Sequence, residues 1–272
     1  MDKLILFPLI ISAILLLDRK PKDVFIWVFL PALTLLPTYF DTKLVQGIPE
    51  LQFWSAALLP ILAAWAFKNF EGYQFHWMDG VILSYILVIF FGQWMNGTYK
   101  EAQKILFNNT MAMLFPYIMI RSFCSDRKTL LKVIWMMTVL GAIVAFFNLI
   151  EFRMFTNYFD QILRKIWPRY VVWDTGMVMG RMGFKRAFGP FSHPIIAGYV
   201  FSLIAPLAIW SYFQGLYRNK YMGRIIVFLN IMGIFVAISR APVMTFFSRP
   251  YKRRAQGAWH RTQGSKTRKC CF

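Results

Sequence analysis

Eight long apolar segments, separated by short charged stretches, constrain the fold of this chain more than any other feature. A hydrocarbon core about 30 Å thick is crossed by roughly 20 apolar residues in a helix, and backbone groups in lipid must hydrogen-bond within their own helix. The sequence therefore predicts an all-α, polytopic bundle of about eight transmembrane helices. The segments are Leu4–Leu17, Val24–Phe40, Leu51–Phe67, Met78–Met95, Ile105–Phe123, Leu130–Phe152, Pro194–Phe213 and Ile225–Phe247.

The composition favours a membrane domain over a soluble one. Of the 272 residues, 58% are hydrophobic and 16% are charged, whereas a soluble domain carries about 25% charge. No small-residue cleavage site follows the first apolar segment, which predicts a retained helix and not a signal peptide. Residues 1–247 are interpreted as one membrane domain.

Positive charges in the short loops predict the orientation. Cytoplasmic loops of membrane proteins are enriched in Lys and Arg. The richer set, assigned to the cytoplasm, is Arg19, Lys20, Lys22, Lys68, Arg121, Arg127, Lys128, Lys132, Arg218, Lys220 and Arg224. The opposite set is Lys3, Lys43, Lys100 and Lys104. The N-terminus and the long segment from about 153 to 193 are therefore expected outside the cytoplasm.

This extracytoplasmic loop is the longest polar stretch between two spans. Its first part, Tyr158–Trp167, predicts a short amphipathic helix on the membrane interface, because its apolar residues recur on one side. A basic loop on the outer face indicates an anionic ligand. Its basic residues are Arg153, Arg164, Lys165, Arg169, Arg181, Lys185 and Arg186.

The end of this loop carries the candidate site. Residues 186–194 read RAFGPFSHP and lead directly into the seventh span. A helix N-terminus flanked by Arg186 and His193 suits a phosphate or pyrophosphate, and His193 can alternatively serve only as the helix cap. Arg240 lies near the outer end of the last span, on the same predicted side as Arg186. Arginine near the membrane is costly unless paired or hydrated, so Arg240 is interpreted as functional.

Residues RAFGPFSHPIIAGYVFSLIAPLAIW, followed near the end of the last span by VAISRAP, resemble the O-antigen ligase and polymerase superfamily of bacterial envelope proteins. The preceding IRSFCSDRKTLLKVIWMMTVLGAIVAFFNLIEFRMFTN, with Glu151 at the end of its span, is similar to the stretch before the first large periplasmic loop of that superfamily. The resemblance covers roughly Ile105 to Pro242. The HPI variant is nearer to exopolysaccharide polymerases than to lipopolysaccharide ligases.

The resemblance implies an enzyme of the bacterial inner membrane. Its reaction would transfer a glycan from undecaprenyl pyrophosphate to the hydroxyl of a glycan or lipid acceptor on the outer face, with no cofactor and no obligatory metal. Arg186 and Arg240 match positions that would stabilise the leaving pyrophosphate, Arg181 is a lesser candidate, and His193 is a candidate base. Members usually carry a second large outer loop, which is not found in this chain, so a truncated and inactive product is also expected.

Other interpretations stay open at this point. A transporter or flippase of lipid-linked glycan would show two similar halves and charges at mid-membrane; the spans are nearly free of charge, which favours chemistry at the surface. A bare membrane fragment is a further alternative. Residues 248–272 form a basic tail without an acidic residue, interpreted as a lipid-binding segment or as an unstructured, out-of-frame end. Nucleic acid is not an expected partner, whereas membrane lipid is.

Overall fold

The structure is a computed structural model that describes residues 2–42, 50–166, 180–181, 184–238 and 242–244. The chain is mostly helical. The helices are α1 (Leu6–Asp18), α2 (Pro21–Val24), α3 (Leu30–Leu35), α4 (Phe53–Phe67), α5 (Trp77–Asn96), α6 (Tyr99–Asn109), α7 (Phe115–Phe123), α8 (Arg127–Met154), α9 (Tyr158–Ile166), α10 (Pro194–Phe213) and α11 (Lys220–Val236). Two antiparallel ladders join β1 (Asp41–Thr42) to β2 (Leu51–Gln52) and β3 (Gly180–Arg181) to β4 (Phe184–Lys185).

Within the described ranges three helices, α5, α8 and α10, are long and apolar enough to cross a membrane. The helical character of the fold is thus confirmed, and α10 has the predicted bounds. The apolar helices α1 and α4 are shorter, at 13 and 15 residues, so the count of eight spans stays a prediction. The basic tail and the end of the eighth segment lie outside the described residues.

Local chemistry sets the ends of α8. The Asp126 side chain accepts the Thr129 N–H at 3.0 Å and caps the first turn. At the other end Phe155 adopts the left-handed conformation, with φ of 58°, which ends a helix because it turns the chain away from the axis. The helix therefore extends beyond the predicted Leu130–Phe152.

Prolines inside two predicted spans follow π turns. The second segment passes from α2 through a π turn, Phe25–Phe29, into α3, and Pro31 follows at once. The fifth segment passes from α6 through a π turn, Thr110–Leu114, into α7, with Pro116 next. Proline has no N–H and clashes with the carbonyl four residues earlier. The wider turn absorbs this defect, and the helical path continues.

The two largest of three buried clusters among the described residues join most of the helices. One lies between residues 21–35, α4 and the first half of α8, where the Phe25 and Phe29 rings stack at 4.8 Å. The other lies between α8, α10 and α11. There Gly233 packs against Phe201 so closely that a Cβ on Gly233 would lie 2.8 Å from the ring. Small residues at such crossings let membrane helices approach each other.

Candidate functional site

Residues 186–191, Arg-Ala-Phe-Gly-Pro-Phe, form what we term the docked segment, which is held from several directions. Near the C-terminal end of α8, the Gly189 N–H donates to Glu151 Oε2 at 2.9 Å. The Asn157 amide, just beyond α8, donates to the Gly189 carbonyl, also at 2.9 Å. Glu151 and Asn157 are 1% and 6% exposed. Both hydrogen bonds are therefore shielded from water, which makes them costly to lose.

Two further elements hold the docked segment. The Thr38 N–H, just beyond α3, donates to the Pro190 carbonyl at 2.9 Å, and the Thr38 hydroxyl donates to the same oxygen at 3.3 Å. At the end of α11, the Ala187 N–H donates to the Val236 carbonyl at 3.4 Å. The segment thus links the second, sixth and eighth apolar segments of the sequence.

Gly189 is the residue that makes this docking possible. Its φ is +58°, in the left-handed region that glycine adopts without strain. A Cβ built there would lie 2.2 Å from the Oδ1 atom of Asn148, a buried residue of α8. A residue with a side chain therefore does not fit at this position without displacing Asn148.

The docked segment places Arg186 at the end of α11. The half-buried Arg186 donates from Nε to the Ala237 carbonyl at 3.2 Å. Arg240 lies outside the described residues, but residues before and after it are described. Beyond it, Pro242 packs against α10, where a Cβ on Gly198 would lie 2.8 Å from the proline Cγ. Arg181 is in strand β3, which pairs with β4 just before Arg186; its side chain is outside the described part.

His193 is the N-cap of α10. Its Nδ1 accepts the Ile195 N–H at 3.2 Å, so the capping interpretation is confirmed. A neutral imidazole that accepts at Nδ1 carries its proton on Nε2. In this state His193 can donate a hydrogen bond from Nε2 but cannot take up a proton there. Its role as a base stays a prediction and requires the cap to open.

Helix α9 confirms the predicted amphipathic helix beside the site. Asn157 caps it, since its Oδ1 accepts the Phe159 N–H at 2.9 Å. The Phe159 ring packs edge-on against Phe147 of α8, with centroids 5.5 Å apart. Ile162 and Ile166 are each 55% exposed. One residue, Asn157, therefore anchors both the docked segment and a helix whose apolar side chains are suited to a membrane interface.

The sequence interpretation missed a polar cluster elsewhere in the fold. Asp79, in the first turn of α5 and 4% exposed, accepts hydrogen bonds from Arg121 Nη1 at 2.5 Å, from the Tyr73 hydroxyl at 3.1 Å and from the His76 N–H at 2.9 Å. Arg121 also donates to the Gln74 carbonyl. Burial raises the pKa of Tyr73. This cluster is a satisfied ion pair that ties α7 to α5, and its signal in the sequence was the His76–Asp79 capping-box spacing.

The described ranges contain no group of three or more His, Cys, Asp or Glu residues that could bind a metal ion. The chain matches no protein-family model, no curated protein and no solved structure, so its kinship with the O-antigen ligase and polymerase superfamily stays a prediction.

Proposed function

We propose that the chain is a multi-pass protein of a bacterial inner membrane that binds an undecaprenyl-pyrophosphate-linked glycan at its outer face and transfers the glycan to an acceptor hydroxyl. The docked segment carries this proposal. In this segment Arg186 donates a hydrogen bond to Ala237. Ala237 lies three residues before Arg240 in the sequence. Arg181 lies just before the docked segment, in the β3–β4 ladder.

Contacts between helix ends support eight spans with alternating sides. Lys104 with Glu50 joins two short stretches that the charge pattern assigns to the outer face, and Thr38 with Pro190 joins the predicted outer end of the second segment to the outer loop. At the opposite ends, Arg121 pairs with Asp79, and the Phe25 and Phe123 rings meet at 5.8 Å. Those stretches are assigned to the cytoplasm. This agreement favours the predicted topology because a span too many or too few would mix the two sets.

The two arginines suit a pyrophosphate ligand. Arg240 follows Ala237 by three residues in the sequence, and Ala237 accepts the hydrogen bond from Arg186. Guanidinium groups form paired, charge-assisted hydrogen bonds with phosphate oxygens. Two of them on neighbouring chain segments could hold both phosphates of one ligand.

The proposed reaction is a substitution at the anomeric carbon. The acceptor oxygen would form a bond to that carbon as the bond to the pyrophosphate oxygen breaks, and undecaprenyl pyrophosphate would leave with the electron pair. Arg186 and Arg240 would stabilise its negative charge as it develops. The acceptor proton would pass to a base, for which His193 is the candidate if it releases the Ile195 N–H.

Binding tests the pyrophosphate site directly. Affinity for undecaprenyl pyrophosphate would be measured on the purified full chain in nanodiscs, for the wild type, for Arg186→Gln and for Arg19→Gln. Arg19 is an exposed control on the predicted cytoplasmic side. A charge-assisted hydrogen bond is worth about 1.5–3 kcal/mol, so Arg186→Gln should weaken binding about tenfold or more. Equal affinity of the three proteins would refute the site.

Transfer and topology are tested separately. Release of undecaprenyl pyrophosphate from a labelled lipid-linked oligosaccharide, in the presence of an acceptor, would support the enzyme; binding without release would count against it. Ser192 and Arg19 are both exposed. In a background without other cysteines, Ser192→Cys should react with an impermeant maleimide added outside intact cells, and Arg19→Cys should react only after lysis. The reverse labelling would overturn the orientation.

A further inference from the structure

An apolar groove of about 430 Å³ lies between α8 and α11, away from the docked segment. On α8 it is lined by Trp135, Val139, Ile143 and Phe146, which recur at helical spacing on one face. Met222 and Leu229 are among the residues that line it on α11. Trp135, Ile143 and Phe146 are 36%, 40% and 51% exposed. The groove is therefore open and apolar, and it lies on the outer surface of the α8–α11 pair.

The length of the groove matches one leaflet of a bilayer. Trp135 and Phe146 are separated by eleven positions, or about 16 Å at 1.5 Å per residue. The hydrocarbon core is about 30 Å thick, so the groove is about half as long as the core is thick. An extended hydrocarbon chain in one leaflet is of comparable length and suits the groove.

One end of the groove is basic. Arg218, in the connection before α11, lines the mouth and is exposed. The exposed Lys132 precedes Trp135 by three residues and therefore lies on the same face of α8. Residues 127–150 and 214–236, which build the groove, contain no Asp or Glu. The Tyr217 hydroxyl donates to the buried Thr138 hydroxyl of α8 at 3.0 Å, which holds the Arg218 connection beside the groove.

We propose that the groove binds one anionic phospholipid. One acyl chain lies along α8 and α11, and the headgroup phosphate sits between Lys132 and Arg218, whose charges complement it. By the predicted orientation this lipid belongs to the cytoplasmic leaflet, opposite the docked segment. The inference requires that α8 crosses a membrane, and it is independent of the proposed glycan transfer.

Competition between two lipids tests the charged end. Delipidated full-length protein in detergent would receive equal amounts of phosphatidylglycerol and phosphatidylcholine with identical chains, and the bound lipids would be counted by native mass spectrometry. The wild type should retain phosphatidylglycerol preferentially. The double variant Lys132→Gln/Arg218→Gln should reduce that preference about tenfold, since each basic residue near an anionic headgroup contributes several-fold. Arg19→Gln/Lys20→Gln removes two charges elsewhere and should keep it.

Filling the groove tests the seat of the acyl chain. Val139→Trp and Ile143→Trp leave all charges in place but fill part of the groove, and each should reduce retention of both lipids. Ile143 is partly exposed, so its replacement leaves the core packing intact even if Val139→Trp fails to fold, which far-UV circular dichroism would reveal. Wild-type retention by Ile143→Trp would overturn the proposal. An equal loss of preference in the Arg19/Lys20 control would also overturn it, because the attraction would then belong to the basic surface as a whole.

Discussion

The substitution Asn157→Asp should release the docked segment while it keeps the cap of α9. Asn157 accepts two backbone hydrogen bonds at Oδ1, from Phe159 at 2.9 Å and Asp160 at 3.2 Å. It also donates one hydrogen bond from Nδ2 to the buried Gly189 carbonyl. Aspartate caps a helix as well as asparagine does, but an ionised aspartate has no donor for that carbonyl. The change therefore removes that hydrogen bond and places a charge in a site that is 6% exposed.

The expected loss of stability follows from that bond. A buried hydrogen bond contributes about 1 kcal/mol net, and a buried carbonyl left without a donor costs about 1–3 kcal/mol. A negative charge at the N-terminus of α9 interacts favourably with the helix dipole and stabilises the fold by about 0.3–1 kcal/mol. The net loss in the free energy of unfolding should be at least about 2 kcal/mol, equivalent to about 30-fold in the unfolding equilibrium, because burial of the new charge adds to it.

Titration with sodium dodecyl sulphate in mixed micelles, followed by circular dichroism, would measure this loss. Asn219→Asp is the matched control, because exposed Asn219 caps α11 through the Tyr221 N–H at 2.9 Å and gives no comparable buried donor. It should change the free energy of unfolding by less than about 0.5 kcal/mol. If the two variants are equally stable, the Asn157–Gly189 hydrogen bond does not hold the docked segment, and the reasoning fails.

Two further predictions concern packing and pH. Gly233→Ala places a Cβ 2.8 Å from the Phe201 ring and should lower the free energy of unfolding by about 1–3 kcal/mol. Gly92→Ala is the control, because its Cβ would meet no neighbouring atom within 4 Å, and it should not lower the free energy of unfolding. Equal effects of the two substitutions would contradict the close helix contact. Hydrogen bonds from the Thr129 hydroxyl and N–H lower the pKa of Asp126, so its contribution to stability is complete above the ordinary pKa of about 3.9 and is lost as the pH falls through the lower folded value. Thermal unfolding at pH 6 and pH 3 should show a smaller pH effect in Asp126→Asn, and an unchanged pH effect would assign it to other groups.

Local patterns predicted the local features of this protein. The bounds of α10 follow from Pro194, which suits a first helical turn, and from the uniform apolar run behind it. The amphipathic period of residues 158–167 likewise predicted α9. Helix α11 begins five residues before its predicted start because Asn219 caps it and carries the helix through a polar first turn.

Long-range pairing was not predictable in the same way. Glu151 and Gly189 are 38 residues apart, and Arg121 and Asp79 are 42 residues apart. A single sequence carries no signal for such pairs, since Glu151, Arg121 and Asp79 look like ordinary polar residues near span ends and Gly189 looks like an ordinary loop glycine. Arg186 and His193 were identified as site residues by their motif. That Arg186 rests on Ala237 and that His193 is engaged as a cap required the fold.

The π turn Thr110–Leu114 has a consequence for insertions and deletions. A helix advances about 100° and 1.5 Å per residue, so the loss of one residue in that turn would rotate α7 by about 100° relative to α6. Arg121 would swing away from Asp79, and Met119, which is fully buried, would leave the core. The stretch from residue 99 to residue 123 can therefore vary in composition more readily than in length, and single-residue indels there should be far less tolerated than substitutions.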